Sequence, residues 1–276
     1  MIQHLYLGRV AYDEGLRLQA EIAALVAEGR AQNVLLLLEH PPVLTLGRNA
    51  HRSNILASDE LLASRGVTVH EINRGGDVTY HGPGQLVGYP IFDLRGLRNP
   101  SGSRIGPVDF VRGMEEALIR LCGEFGVLAG RVCKLTGVWC GADESPLDGS
   151  HANERKIAAI GIHVARGITT HGFAFNVTTK LEDFQLIVPC GIPDHAVTSL
   201  EREVKDPERL PSLEAIAHRA ARQFGLVFGE QVLAFESLAA LRAQTAQPQF
   251  PAEDTPLQIP AEVERLLGAP AGPVRA

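Results

Sequence analysis

No stretch of this chain is apolar for long enough to cross a bilayer, and the N-terminus, Met1-Ile2-Gln3-His4, lacks a basic segment followed by an apolar run. The first absence argues against a membrane-spanning helix and the second against a secretory signal, so a cytoplasmic setting is expected. Cysteine is scarce: there are four, Cys122, Cys133, Cys140 and Cys190, with no C-x-x-C pair among them. That disfavours a zinc ribbon and a thioredoxin-type motif. No H-E-x-x-H or similar spacing supports a metal, so His163 and His171 read as strand histidines and no metal is expected. A G-x-x-x-x-G-K-[ST] loop is missing, and Gly82-Pro83-Gly84-Gln85-Leu86-Val87-Gly88 misses the dinucleotide spacing by one residue and leads into a strand pattern. Positive charge is not in excess either: 26 Lys and Arg against 32 Asp and Glu give a net charge of -6, which argues against a general nucleic-acid binder.

What is present is enough for one large core, since 45% of the 276 residues are hydrophobic. Leu16, Leu18, Ile22, Leu25 and Val26 recur at helical spacing, and the spacing predicts a helix over 12–28. Short apolar runs at 34–39 and 43–47 read as strands, as do 67–73 and 85–92. A short helix over 59–64 follows the capping candidate Ser58, and a longer one over 108–125 follows Pro107, with Cys122 on its apolar face as a core residue. Segments 157–164 and 168–177 form a hairpin turned at Ala165-Arg166-Gly167, and Ser212 caps a helix over 213–224. Helices interleaved with hairpins give an α/β chain of the α+β type, with a mixed sheet rather than a doubly wound parallel one. The polar, turn-rich stretch 141–155 reads as an inserted loop without chemistry of its own, and 247–276, rich in proline and alanine, as a tail behind an appended helix.

Three motifs carry chemistry. In Val188-Pro189-Cys190-Gly191-Ile192-Pro193, proline fixes φ and glycine admits close approach, so one thiol is set where it can meet an acyl carbonyl. Taken alone, a Pro-Cys-Gly turn is more often structural. Arg74-Gly75-Gly76-Asp77-Val78-Thr79-Tyr80-His81-Gly82-Pro83-Gly84-Gln85 joins two strand-like runs with glycines wherever a substrate would lie against the backbone. Lys156 leads the apolar strand Ile157-Ala158-Ala159-Ile160-Gly161, where its ammonium either faces a cleft or stands as a solvated charge. A neighbouring ammonium stabilises a thiolate, the form that attacks, so the pairing of Lys156 with Cys190 is chemically sensible if the fold brings them together.

These segments, with His171-Gly172-Phe173-Ala174-Phe175-Asn176-Val177, occur in one order that resembles the octanoyl-acyl carrier protein:protein octanoyltransferase family, also called lipoyl(octanoyl) transferase or lipoate-protein ligase B. The resemblance implies the biotin/lipoate protein ligase catalytic-domain fold over 1–228, followed by a C-terminal helix and Pro/Ala-rich tail over 229–276. It implies transfer of an octanoyl group from octanoyl-acyl carrier protein to a lysine of a lipoyl domain through an acyl-cysteine, with Cys190 as nucleophile and Lys156 as its pKa-lowering partner. No cofactor is implied. Acceptors would be the lipoyl domains of 2-oxoacid dehydrogenase E2 subunits and the glycine cleavage H protein, with neither nucleic acid nor membrane as partner. The substrate pocket would be lined by Arg74, Gly75, Gly76, Asp77, Val78, Thr79, Tyr80 and His81, by Ala159, Ile160 and Gly161, and by Gly172, Phe173 and Ala174. Burying about seven methylenes at roughly 0.8 kcal/mol each would favour an eight-carbon group over acetyl. His81 either positions the thioester and relays a proton or makes a structural hydrogen bond. Arg95, Arg98 and Arg104, with Arg48 and Arg52, form either a basic patch for the acidic carrier or a solvated loop. Two other readings stay open: an ATP-dependent lipoate-protein ligase of the same fold, and a non-catalytic acyl-carrier-binding module.

Overall fold

The computed structural model describes residues 1–99, 102–141, 154–188 and 196–246. In chain order these form β1 (Ile2–Arg9), α1 (Tyr12–Ala27), β2 (Asn33–Glu39), β3 (Val43–Leu46), α2 (Asp59–Ser64), β4 (Thr68–Glu71), β5 (Val78–His81), β6 (Gln85–Ile91), α3 (Pro107–Glu124), β7 (Ala129–Val132), β8 (Leu135–Cys140), β9 (Arg155–Ala165), β10 (Ile168–Asn176), β11 (Ala196–Val197), α4 (Leu200–Glu203), α5 (Leu213–Phe228), β12 (Val232–Ala234) and α6 (Leu238–Ala246). The main sheet runs β12-β1-β2-β6-β10-β9-β8-β7, with β11 added to β9, and a small sheet runs β4-β3-β5. Both sheets are mixed: β1 is parallel to β2 and β12, whereas β2, β6, β10, β9 and β8 pair antiparallel in succession. The mixed α/β architecture expected from the sequence is therefore the one observed.

Both faces of the main sheet are covered, which is why β2 reads as an unbroken apolar run. Leu35 and Leu37 point to the side of α3 and α5, into a core with Phe92, Phe110, Leu118, Ile157, Phe175 and Phe224. Val34, Leu36 and Leu38 point to the side of α1 and α6, against Leu18, Ile22 and the fully buried Leu241. A third cluster joins the small sheet to the 3-10 segment Leu181–Leu186 through Leu44, Val78, Tyr80 and Phe184.

Local signals set several boundaries. Ser58 Oγ accepts from Leu61 N and Ser212 Oγ from Ala215 N, the expected caps of α2 and α5. The β9–β10 turn holds Arg166 at φ 53° and Gly167 at φ 85°, the doubly left-handed geometry that matches strand twist. α5 continues one turn past its expected end at 224, because Gly229 at φ 67° supplies the left-handed cap five residues later. Beyond it, β12 adds an edge to β1, and α6 is fixed by Leu241 and by the Arg242–Glu21 ion pair. Most of the 141–155 loop, the segment 189–195 and the tail 247–276 lie outside the described residues.

Candidate active site

The site lies where the Arg74–Gln85 stretch and the small sheet meet β9, β10 and β6 on the α1 side of the main sheet. A cavity of about 250 Å³ opens there, lined by Arg74, Gly75, Gly76, Asp77, Thr79 and His81 from the first motif, by Lys156, Ala159, Ile160 and Gly161 from β9, and by Gly172, Phe173 and Ala174 from β10. The expected pocket residues thus converge, with two exceptions. Val78 and Tyr80 alternate to the opposite face of β5 and join the third core cluster, so they support the site without lining it. Sequence reading missed Tyr12, Val87, Tyr89, Lys134, Leu135, Thr136 and His171 as lining residues. The positive φ of His171 and of Lys134 would have been a signal, but only coordinates supply it.

Glycine is needed where backbones touch. A side chain on Gly161 would place Cβ 2.6 Å from Gly75 O, so the Arg74-Gly75-Gly76 loop can lie flat on β9 only if position 161 is bare. Gly75 N donates to Ile162 O at 3.0 Å and locks that contact. Arg74 is buried and donates to Thr45 O at 2.7 Å, to Thr45 Oγ1 at 2.8 Å and to Gly75 O at 3.0 Å. The guanidinium is spent on holding the small sheet and its own loop.

A cluster of imidazoles and phenols forms the inner end. Gln85 Nε2 donates to Tyr80 O and to Asn176 Oδ1, so its Oε1 accepts from His81 Nδ1 at 2.8 Å. That fixes His81 as the Nδ1–H tautomer with a lone pair on Nε2, which sits 3.5 Å from Thr45 Oγ1. Burial, reinforced by His40, pushes the His81 pKa down to about 3. Burial likewise lowers His40 to about 4; its Nδ1 donates to Val10 O and its Nε2 accepts from Tyr89 OH, both at 2.6 Å. His171, at φ 58°, gives its backbone N–H to Gln19 Oε1 at 2.6 Å instead of to β6, and burial with Arg74 nearby holds its ring at about 4. All three rings are neutral at physiological pH. Burial also raises the Tyr89 phenol, so the inner end presents neutral donors, acceptors and ring faces to a ligand.

Lys156 is buried and stands with Nζ 4.5 Å from the centroid of the Trp139 ring. Among the described residues it has no carboxylate partner; the indole face is what stabilises its charge. Cys190 lies outside the described residues, but both of its approaches are placed. Before it, Val188 N donates to Asn54 O and Asn54 Nδ2 to Asp77 Oδ2, each at 2.7 Å. The 3-10 segment ahead of Val188 is pinned by Asp183, which accepts from Tyr80 OH at 2.9 Å and pairs with Arg65. After it, β11 pairs Ala196 with Arg155 and Val197 with Lys156. The candidate basic patch is partly neutralised: Arg95 pairs with Asp93 and Arg52 with Asp59.

Comparison with known proteins agrees with this geometry. The family profile of the lipoyl protein ligase A/B catalytic domain matches residues 11–225. A protein of Acidobacterium capsulatum named octanoyltransferase is 59% identical over 243 residues, spanning 88% of this chain and 96% of that protein. One of Koribacter versatilis with the same name is 49% identical over 266 residues, spanning 96% and 97%. Among solved structures, a bi-partite lipoate protein ligase from Thermoplasma acidophilum superposes with a TM-score of 0.63 at 15% identity, covering 89% of this chain and 91% of that one. A lipoate-protein ligase A bound with ATP gives 0.61, also at 15% identity, covering 89% and 93%. At such identities the structural likeness shows the fold.

Proposed function

Because the chain belongs to the lipoyl protein ligase A/B catalytic-domain family, with close relatives named octanoyltransferase, we propose that it is the acyltransferase that carries an octanoyl group from octanoyl-acyl carrier protein, by way of Cys190, to a lysine of lipoyl domains. The octanoyl-transfer activity follows from those relatives. We further infer octanoyl-acyl carrier protein as donor, the lipoyl domains of E2 subunits and the glycine cleavage H protein as acceptors, and a cytoplasmic setting. Among the described residues no helix is long and apolar enough to cross a membrane.

The observation that carries the reading is Lys156, a buried ammonium with an indole for company, lining the acyl cavity beside the point where the chain leaves the Cys190 segment. In the resting pair Cys190 is the thiolate and Lys156 the ammonium. The thiolate attacks the thioester carbonyl and forms a new C–S bond; the donor C–S bond breaks, and the donor thiolate takes a proton from Lys156. In the second half the acceptor amine attacks the acyl-cysteine, neutral Lys156 removes its extra proton, and Cys190 leaves as thiolate, which restores the starting state. Thioester exchange is nearly neutral in free energy and amide formation is downhill, so no nucleotide is required. The ATP-dependent ligase reading is not favoured, since the relatives named octanoyltransferase reach 59% identity while the ligase likeness stands at 15%.

Intact-mass spectrometry of wild type and Cys190→Ala, mixed with octanoyl-acyl carrier protein without ATP and then with apo lipoyl domain, tests this. We expect an octanoyl adduct on the wild type alone, chased onto the lipoyl domain. Transfer appearing only with ATP and free octanoic acid would overturn it.

A further inference from the structure

The β7–β8 hairpin carries an unusual cation at the mouth of the cavity. Val132 pairs with Leu135, so Cys133-Lys134 is a two-residue turn, and Lys134 sits in it at φ 65°. Glycine or asparagine suits such a position; a lysine there is strained, and strain of this kind is retained where a side chain is needed. The arms of the hairpin are clamped. Glu115 on α3 is fully buried and accepts from Gly137 N at 3.1 Å, Arg131 Nε at 3.0 Å and Arg112 Nη1 at 2.7 Å, so the turn is presented from a rigid base. Lys134 and Thr136 are exposed, as is Gly76, while most of the lining is buried, so the turn stands at the rim of the opening. Nearby Arg112 pairs with Glu115 and Arg131 with both Glu115 and Glu116, and the Asp77 carboxylate is engaged by Asn54 Nδ2 and Val78 N. Lys134 makes no ion pair or hydrogen bond among the described residues.

We infer that Lys134 receives the phosphate of the donor's phosphopantetheine arm. This rests on the transfer reading above, and the reach of the arm supports it. Lys156 Cε stands 3.5 Å from where a Cβ on Gly137 would lie, and Lys134 lies three residues before Gly137, so about 10 Å of extended strand separates the turn from the reacting end. A pantetheine arm has about thirteen bonds between its sulfur and its phosphorus, and an extended chain advances roughly 1.2 Å per bond, giving about 16 Å at full extension, which covers that span with slack. With the thioester at Lys156 and the acyl chain toward the neutral Tyr and His cluster, the arm laid along β8 brings its phosphate to Lys134. An ammonium recognises it as a point charge through a charge-assisted hydrogen bond.

Octanoyl-phosphopantetheine and octanoyl-pantetheine, donors that differ only in the phosphate, test the assignment with the full-length enzyme. The wild type should show a KM about three- to tenfold lower for the phosphorylated donor, a gap that narrows as salt is raised. Lys134→Ala should abolish the gap by raising KM for the phosphorylated donor alone, with kcat unchanged. Lys134→Gly, which suits the turn better, should lose the gap equally, and Lys134→Arg should keep it. Equal KM values for the two donors in the wild type would overturn this inference alone, as would a Lys134→Ala defect confined to the KM of the lipoyl-domain acceptor. Failure of the wild type to take octanoyl from any donor, carrier protein included, would overturn the transfer reading and this inference with it.

Discussion

A buried ammonium ordinarily keeps a carboxylate beside it; Lys156 keeps the ring of Trp139. The arrangement leaves the charge available to a thiolate, which a carboxylate neighbour would discourage. Lys156→Ala should lower octanoyl transfer by about 10²- to 10⁴-fold in single-turnover assays, and Lys156→Arg should not restore it, because guanidinium holds its proton too firmly to trade it with a thiolate or an amine. At Gly161 the constraint is contact between backbones rather than chemistry. Gly161→Val places a side chain against Gly75 O, 2.6 Å from the new Cβ, and lifts the Arg74-Gly75-Gly76 loop from β9. The expected result is a KM for octanoyl donor raised about tenfold or more, measured by initial rates, with a smaller effect on kcat.

Each element positions the site through something outside it. The β7–β8 hairpin joins the main sheet through β9 and buries Val138 and Cys140 in the core beside α3, and one carboxylate on α3 ties its two arms together. Glu115→Ala would leave the buried Gly137 N without its acceptor and cut Arg112 loose, while Arg131 keeps Glu116 and Arg112 O, and should cost about 1–3 kcal/mol in urea unfolding, whereas Glu115→Gln, which keeps an acceptor for Gly137 N, should cost less. α6 serves the other end of the sheet. Leu241 is fully buried against α1 and β2, so Leu241→Ala should cost about 2–4 kcal/mol in the same measurement while leaving KM for octanoyl donor unchanged.

The molecule as a whole keeps three neutral histidines around its cavity, and with His4, which burial also lowers to about 4, they shape its response to acid. His40, His81 and His171 are held by burial at about 4, 3 and 4, below the value near 6.5 that they regain on unfolding. Between pH 6.5 and about 4 the unfolded chain therefore binds more protons than the folded one, and stability falls as pH falls through that window. Above pH 6.5 the three contribute in full. Unfolding free energies from urea titration should be flat from pH 7 to 8 and drop below pH 6.5 by several kcal/mol over two pH units, and His171→Gln should flatten the slope by up to one proton.

Much of this was legible in the residues themselves. Capping by Ser58 and Ser212, the start of α3 at Pro107, the Arg166-Gly167 hairpin turn and the apolar periods are local, so the chain specified them without help from distant partners. The motif residues of the cavity were legible for the same reason, as short runs of unusual composition. Only the tertiary structure decided which of them face the ligand. Alternation along β5 fixes that Val78 and Tyr80 share one face and Thr79 and His81 the other, but which face meets β9 and β10 depends on how the small sheet docks. Tyr12, Tyr89 and Lys134 enter the cavity from α1, β6 and a clamped turn far apart in the chain, through strand pairing and one buried carboxylate that no local pattern encodes.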